Sequence, residues 1–280
     1  MKKINLQKVI IFIFLIMVTS VFLFPLLITF FASFKSNMEI LTRGAQVIPE
    51  RFNYENYIKA WNIANFRRYT LNSLYVTALT IAGILVVSTM SGYAFARGKF
   101  LGKKIIFSLF IATMFLSWGP IMIYPQIQVA RFLSINNSLS GYVILRVFTV
   151  NMTMIFLAKS YIDSIPKSID EAAFMDGCSF FRIYWNIILP LVKPILATIC
   201  LLTFGETWND YLLPLVFTMS KPELKTLTVA VVGLKTSGQV ASSWNLMLSG
   251  SMMSIVPMVI LYFSMSKYFI SGLTKGAIKE

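Results

Sequence analysis

Two groups of polar residues interrupt an otherwise apolar chain, and the spacing within each has chemical content. The first is Glu206, Trp208, Asn209 and Asp210. Carboxylates four residues apart share one face of a helix, here with an indole and an amide beside them. Aromatic plates next to hydrogen-bonding groups suit a sugar, whose faces are apolar and whose edges are polar. These four residues are therefore candidates for lining a substrate pathway. The run around them is hydrophobic, and a charged side chain at the centre of a bilayer costs about 2.5–3.5 kcal/mol on insertion scales. Two carboxylates in one span must then face a protein interior, a wet cavity or the outer interface. A second reading stays open, in which Glu206 or Asp210 pairs structurally with an arginine such as Arg146.

The second group is a polar island from Asp170 to Pro190, flanked by long hydrophobic runs. Ile165-Pro166 favours an extended approach and then a helix start. Ser168, three residues before Glu171, makes a capping box possible. Gly177 suits the left-handed residue that ends such a helix. Ser179 then caps a second short helix through Phe180, Ile183, Tyr184 and Ile187 toward Leu189, and Pro190 closes the unit. The pattern predicts two short helices at an angle, lying along the membrane surface. Ala172 and Ala173 leave a slim surface beside the acid of Glu171, a shape suited to a groove in another protein. Alternatively, Glu171 only caps its own helix and the island merely joins two spans.

Other chemistry is excluded or unsupported. The chain has no histidine, so Ser-His and Cys-His pairs and a histidine proton relay are ruled out. Its two cysteines, Cys178 and Cys200, allow neither a disulfide framework nor a zinc site. A phosphate-binding Walker loop needs glycines one and six residues before its lysine. Lys235-Thr236 has Leu234 and Val229 at those places. No catalytic residue, cofactor or metal site is expected.

The elements that must position these residues follow from composition. Of 280 residues, 57% are hydrophobic and 13% charged, against roughly 25% charged in soluble domains. Lipid must cover that apolar excess. A spanning helix takes about 20 apolar residues, and six fit: 9–34, 70–96, 105–132, 141–158, 194–219 and 244–268. The first follows a short basic start and is too long for a signal peptide core; Pro25 lies inside it. Residues 35–69 mix both charge signs with aromatics and predict short interfacial helices. Ser88, Gly92 and Ala96 recur every fourth residue, which permits close helix approach. Gly119-Pro120 and Pro125 interrupt the third run, and a broken helix at membrane depth lines protein or a cavity. Residues 221–243 read as an external loop.

The formal charge is +14. The basic residues are scattered beside apolar runs with no aromatic-interleaved patch, which argues for topology and anionic lipid contact and against nucleic acid. Arg97, Lys99, Lys103 and Lys104 form an acid-free loop that marks the cytoplasmic side. Six spans then place both termini and the 159–193 loop on that side.

The island also resembles the EAA loop of binding-protein-dependent ABC importer permeases. Glu171, Ala172, Ala173, Gly177, Ile187, Leu189 and Pro190 fall in that family's register. Trp208-Asn209-Asp210-Tyr211 with Pro214, Leu224-Lys225-Thr226-Leu227 and the ending Gly272 to Lys279 look like the carbohydrate-importing, maltose-permease-like second subunit. The resemblance implies an all-α type I importer transmembrane domain over residues 1–280, with cytoplasmic coupling helices. It implies half of a sugar or oligosaccharide channel in the plasma membrane of a bacterium or archaeon. A second permease subunit, two cytoplasmic ATPase subunits carrying ATP and magnesium, and an external solute-binding protein complete it. Glu171, Ala172, Ala173, Asp176, Gly177, Leu189 and Pro190 would couple to the ATPase, and Lys275, Gly276 and Lys279 in the tail would reach it. Two rival readings remain: an ion-coupled secondary transporter using Glu206 or Asp210, and a membrane-embedded enzyme.

Overall fold

The computed structural model describes residues 6–44, 46–116, 119–149, 151–236 and 243–277, and for residues 6 and 268–277 the backbone alone. Among the described residues every regular element is helical. The chain forms two compact units: residues 1–67 with 230–256, and residues 68–229 with 257–280.

In the first unit, α1 (Leu6–Ala32) runs through Pro25 as one helix, and its apolar stretch is left unburied. The expected short helices follow as α2 (Asn37–Thr42) and α3 (Glu55–Ile63). Ser36 caps α2 by accepting from the Glu39 amide. Buried Asn56 secures the unit: its amide nitrogen donates to the carbonyls of Ser33 and Lys35, both at 2.9 Å, and its oxygen accepts from Asn245 at 2.9 Å. Buried backbone carbonyls need such partners. Ser249 adds a further donor to Ser33.

The second unit holds most of α4 (Phe66–Arg97), α5 (Lys103–Met114), α6 (Ile123–Phe132), α7 (Leu139–Phe148), α8 (Met152–Asp163), α9 (Lys167–Met175), α10 (Phe180–Ile183), α11 (Leu189–Leu191), α12 (Lys193–Trp208) and α13 (Leu212–Thr218). Its core is built on fully buried Tyr93, Tyr142, Tyr184, Met154, Ile162, Ile183, Ile188 and Ile199. The close approach expected of the small-residue stripe is present. A Cβ at Gly92 would sit 2.8 Å from the Ala158 Cβ and 2.9 Å from the Lys159 amide nitrogen. Tyr184 and Thr89 hydroxyls meet at 2.8 Å across the same core. Two further helices, α14 (Leu227–Gly233) and α15 (Trp244–Ala277), each contribute to both units.

The expected spans are realised unevenly. Helices covering Gln7–Ala32, Phe66–Arg97 and Trp244–Lys267 are each long and apolar enough to cross a membrane. Two bent pairs, α7 with α8 and Phe180–Leu191 with α12, reach that length only together. The 105–132 run is split between α5 and α6, with a 3-10 turn at Gly119–Met122 between them. Gly119 is left-handed, φ 46°, directly before Pro120, a residue that disfavours helix in its predecessor.

Three expectations need correction. The 194–219 run is two helices, because Pro214 has no N–H for the Asp210 carbonyl and its ring crowds that carbonyl. Residues 221–243 are not a plain loop, since Leu227–Gly233 is helical and buries Leu227, Val229, Ala230 and Val231. Ser168 does not cap, because Pro166 occupies the position before the helix and Ser168 lies inside it.

Candidate functional site

The polar island folds from local rules. Pro166 is extended, φ −55° and ψ 131°, and α9 begins at the next residue. The helix ends in a Schellman motif. The Gly177 amide bonds to the Phe174 carbonyl at 3.0 Å and the Cys178 amide to the Ala173 carbonyl at 3.0 Å, with Gly177 at φ 80°. Ser179 then caps α10 by accepting from the Arg182 amide at 3.4 Å. A π turn over Tyr184–Ile188 carries the helix into α11. Pro190 has no N–H for the Asn186 carbonyl, and the widened turn, with the Leu189 amide on the Tyr184 carbonyl, accommodates its ring. Pro194 repeats the defect four residues later, and the chain turns by 79° between Leu191 and Lys193.

This geometry sorts the island's residues. Glu171, Ala172, Asp176 and Gly177 are exposed, as are Phe174 and Met175. Ala173 turns inward against the unit's own core, so the slim surface consists of Ala172 without Ala173. Leu189 packs half-buried on that core, and Pro190 is exposed.

The residue that holds the island in place was not among those singled out from sequence. Asp170, one position before Glu171, is buried and accepts from the Arg97 Nε at 2.9 Å, with both side chains 6% exposed. Arg97 also donates from Nη2 to the Ile165 carbonyl at 2.5 Å, and the Tyr93 hydroxyl donates to the other Asp170 oxygen at 3.4 Å. The basic 97–104 loop and the start of α9 therefore meet at one end of the unit. Lys103 closes the end of α4, donating to the Gly98 carbonyl at 3.0 Å and the Ala96 carbonyl at 3.4 Å. Burial pulls its ammonium below the ordinary lysine range, and nearby Lys159 pushes the same way.

The intramembrane group is arranged differently from the expectation. Helix α12 stops at Trp208, Asn209 caps it, and Asp210 lies in the break before α13. Glu206 and Asp210 thus do not share a helix face. Arg146 of α7 reaches Glu206, Nη2 to Oε2 at 3.7 Å, the pairing foreseen as one of the two readings. Asp210 instead accepts from the Tyr142 hydroxyl at 3.0 Å. Trp208 is buried and stacked on Phe204, centroids 5.2 Å apart, so its ring is not an open plate. Asn209 is exposed and its amide donates to the Gly205 carbonyl at 2.9 Å. The Lys275 and Gly276 side chains and all of Lys279 lie outside the described residues.

Comparison with known proteins gives a concordant picture. Residues 101–274 match the family described as "Binding-protein-dependent transport system inner membrane component". The chain is 32% identical over 280 residues, 100% of both chains, to the "Probable starch degradation products transport system permease protein AmyC" of Thermoanaerobacterium thermosulfurigenes. It is 29% identical to the "Arabinooligosaccharides transport system permease protein AraQ" of Bacillus subtilis, over 98% of this chain and 97% of that one. A chain in the crystal structure of a bacterial ABC transporter involved in the import of the acidic polysaccharide alginate shares the fold. It has a TM-score of 0.74 and 24% identity, over 94% of this chain and 96% of that one.

Proposed function

The chain belongs to the binding-protein-dependent transport system inner membrane components, and from that premise we propose that it is the permease subunit of an ATP-driven importer of sugar or oligosaccharide. Full-length similarity to permeases named for starch products and arabinooligosaccharides supports the substrate class. The whole chain, residues 1–280, acts as one six-span permease domain and forms half of the pathway. A second permease subunit supplies the other half, an external binding protein delivers the sugar, and two ATPase subunits bind ATP and magnesium on the cytoplasmic side. Both termini face the cytoplasm, and Lys275, Gly276 and Lys279 extend toward the ATPase.

The observation that carries the reading is the split between Asp170 and Glu171. Neighbours in sequence, they divide the work of α9: one is clamped by Arg97 inside the protein, the other stands exposed beside Ala172. A helix held from behind and acidic in front is built to be pushed by a partner. Glu171 pairs with a basic group of the ATPase, Ala172 and Gly177 allow close fit, and Asp176 and Pro190 border the contact. Leu189 and Ala173 carry the motion inward through the core. ATP-driven closure of the ATPases shifts the two-state equilibrium of the spans only through its different affinity for the two states.

An ion-coupled carrier needs a carboxylate free to take a proton or cation. Glu206 faces Arg146 and Asp210 faces Tyr142, so no observation favours that reading. The test is co-expression with a second permease, an ATPase and a binding protein. The ATPase is expected to co-purify with the chain, to be lost with Gly177→Pro, and to be required for sugar uptake into proteoliposomes. Uptake by the purified chain alone would overturn the proposal.

A further inference from the structure

The break between α7 and α8 falls midway along that bent pair, and two cavities meet there. The first, about 200 Å³, is lined by Thr113, Met114, Arg146, Thr149, Asn151 and Thr153. The second, about 210 Å³, shares Thr149 and Asn151 and adds Ser88, Ser91, Phe110 and Phe148. One is polar; the other is mostly apolar, with Phe110 and Phe148 beside Ile84, Val87, Val147 and Ile155. Each is below the ~300–1,000 Å³ of a drug-sized ligand site, and together they suit a short chain of rings.

Thr113, which lines the first cavity, is satisfied by the Phe110 carbonyl at 2.6 Å, but Arg146 and Asn151 there keep polar capacity to spare. The Arg146 Nε is buried and makes no hydrogen bond. Its Nη2 lies 3.7 Å from Glu206, well beyond the ~2.7–2.9 Å of a charge-assisted bond. Asn151 occupies the position before α8 without capping it, so the first amides of α8 have no side-chain partner. Thr149, by contrast, is satisfied by the Leu145 carbonyl at 2.6 Å. A buried donor without a partner, as the Arg146 Nε is, is costly unless something polar arrives to meet it.

Building on the importer reading, we propose that this pair of cavities is the subsite through which the chain contacts its sugar. Arg146 and Asn151 bond to ring hydroxyls, and Phe148 lies against a ring face. Glu206 is then a positioning residue that holds the guanidinium from the other side. It also supplies the counter-charge, so the subsite fits a neutral sugar and not a uronic acid. This moves the contact away from Trp208, whose ring is already covered.

The experiment uses the complete complex with its binding protein and ATP. Maltotriose, raffinose and arabinotriose serve as neutral probes, and an oligosaccharide ending in glucuronic acid as the charged one. With Cys178 and Cys200 changed to serine, Thr153→Cys is labelled by a small methanethiosulfonate. A transported neutral sugar is expected to slow labelling severalfold. Separately, Asn151→Leu is expected to cut uptake about tenfold, the loss of roughly one buried hydrogen bond, while stimulated ATP hydrolysis stays within about twofold. If the wild type carries a neutral sugar but that sugar gives no protection, or Asn151→Leu carries it at the wild-type rate, this inference alone falls. Protection only by the uronic-acid probe overturns the neutral assignment. A wild-type complex that carries none of the probes overturns the importer reading together with the subsite.

Discussion

The second unit contains two arginine–carboxylate pairs that differ in nearly everything except residue type. Arg97 and Asp170 meet at 2.9 Å with both side chains 6% exposed, and a backbone carbonyl and a tyrosine hydroxyl complete the cluster. Arg146 and Glu206 stand 3.7 Å apart with side chains 27% and 46% exposed. The first pair is closed: its charges have been taken from water, and Asp170 and the Arg97 Nε and Nη2 have close partners, although the Arg97 Nη1 is buried without one. The second is open: its charges stand farther apart and both side chains reach solvent. Desolvation makes the difference. A buried pair tolerates no loss of a partner, whereas an exposed pair contributes little to stability and can afterwards be used for something else.

The sharpest way to break this contrast is at Arg97. Arg97→Ala leaves Asp170 buried without a counter-charge and is expected to cost about 3–5 kcal/mol in denaturant unfolding in detergent. Adding Asp170→Asn removes the stranded charge and is expected to recover part of the loss. Gly177→Val comes next. A branched residue at φ 80° costs about 1–2 kcal/mol, read as faster amide exchange over the last turn of α9 with the distant Arg146 region unchanged. Glu206→Gln is expected to cost below about 1 kcal/mol; a loss as large as that of Arg97→Ala would erase the distinction between the pairs. Smallest is the surface pair of Lys59 and Glu55 at 2.9 Å. The hydrogen bond from Lys59, with its charge, holds the Glu55 carboxyl below its ordinary 4.5. Its slight contribution is therefore present above that pH and lost as pH falls through the lowered value. Lys59→Ala should lower the thermal midpoint slightly at neutral pH, make no difference in acid where Glu55 is protonated, and so flatten the acid-range dependence.

What could be read from the sequence was whatever local rules decide. Gly177 and Ser179 announced the end of one helix and the start of the next, and both do so in the structure. Gly92 announced a close helix contact, and α8 supplies it. The break at Asn209–Tyr211 was also legible in principle, since Pro214 strips a partner from the Asp210 carbonyl. The apolar run around it outweighed that single residue. Asp170 was hidden for a different reason. Nothing local separates it from Glu171, and its partner lies 73 residues earlier in the chain. Only tertiary packing decides which of two adjacent acids faces in. Trp208 shows the same limit, since sequence supplies the ring but not Phe204 stacked over it.

The elbow at Val192 has a mechanical consequence. Pro190 and Pro194 leave a corner of 79° with a π turn just upstream of it. Such a corner works as a bell-crank: thrust arriving along one arm leaves as sideways swing of the other. A short stroke on the 180–191 arm becomes lateral travel at the far tip of α12, where Glu206 sits.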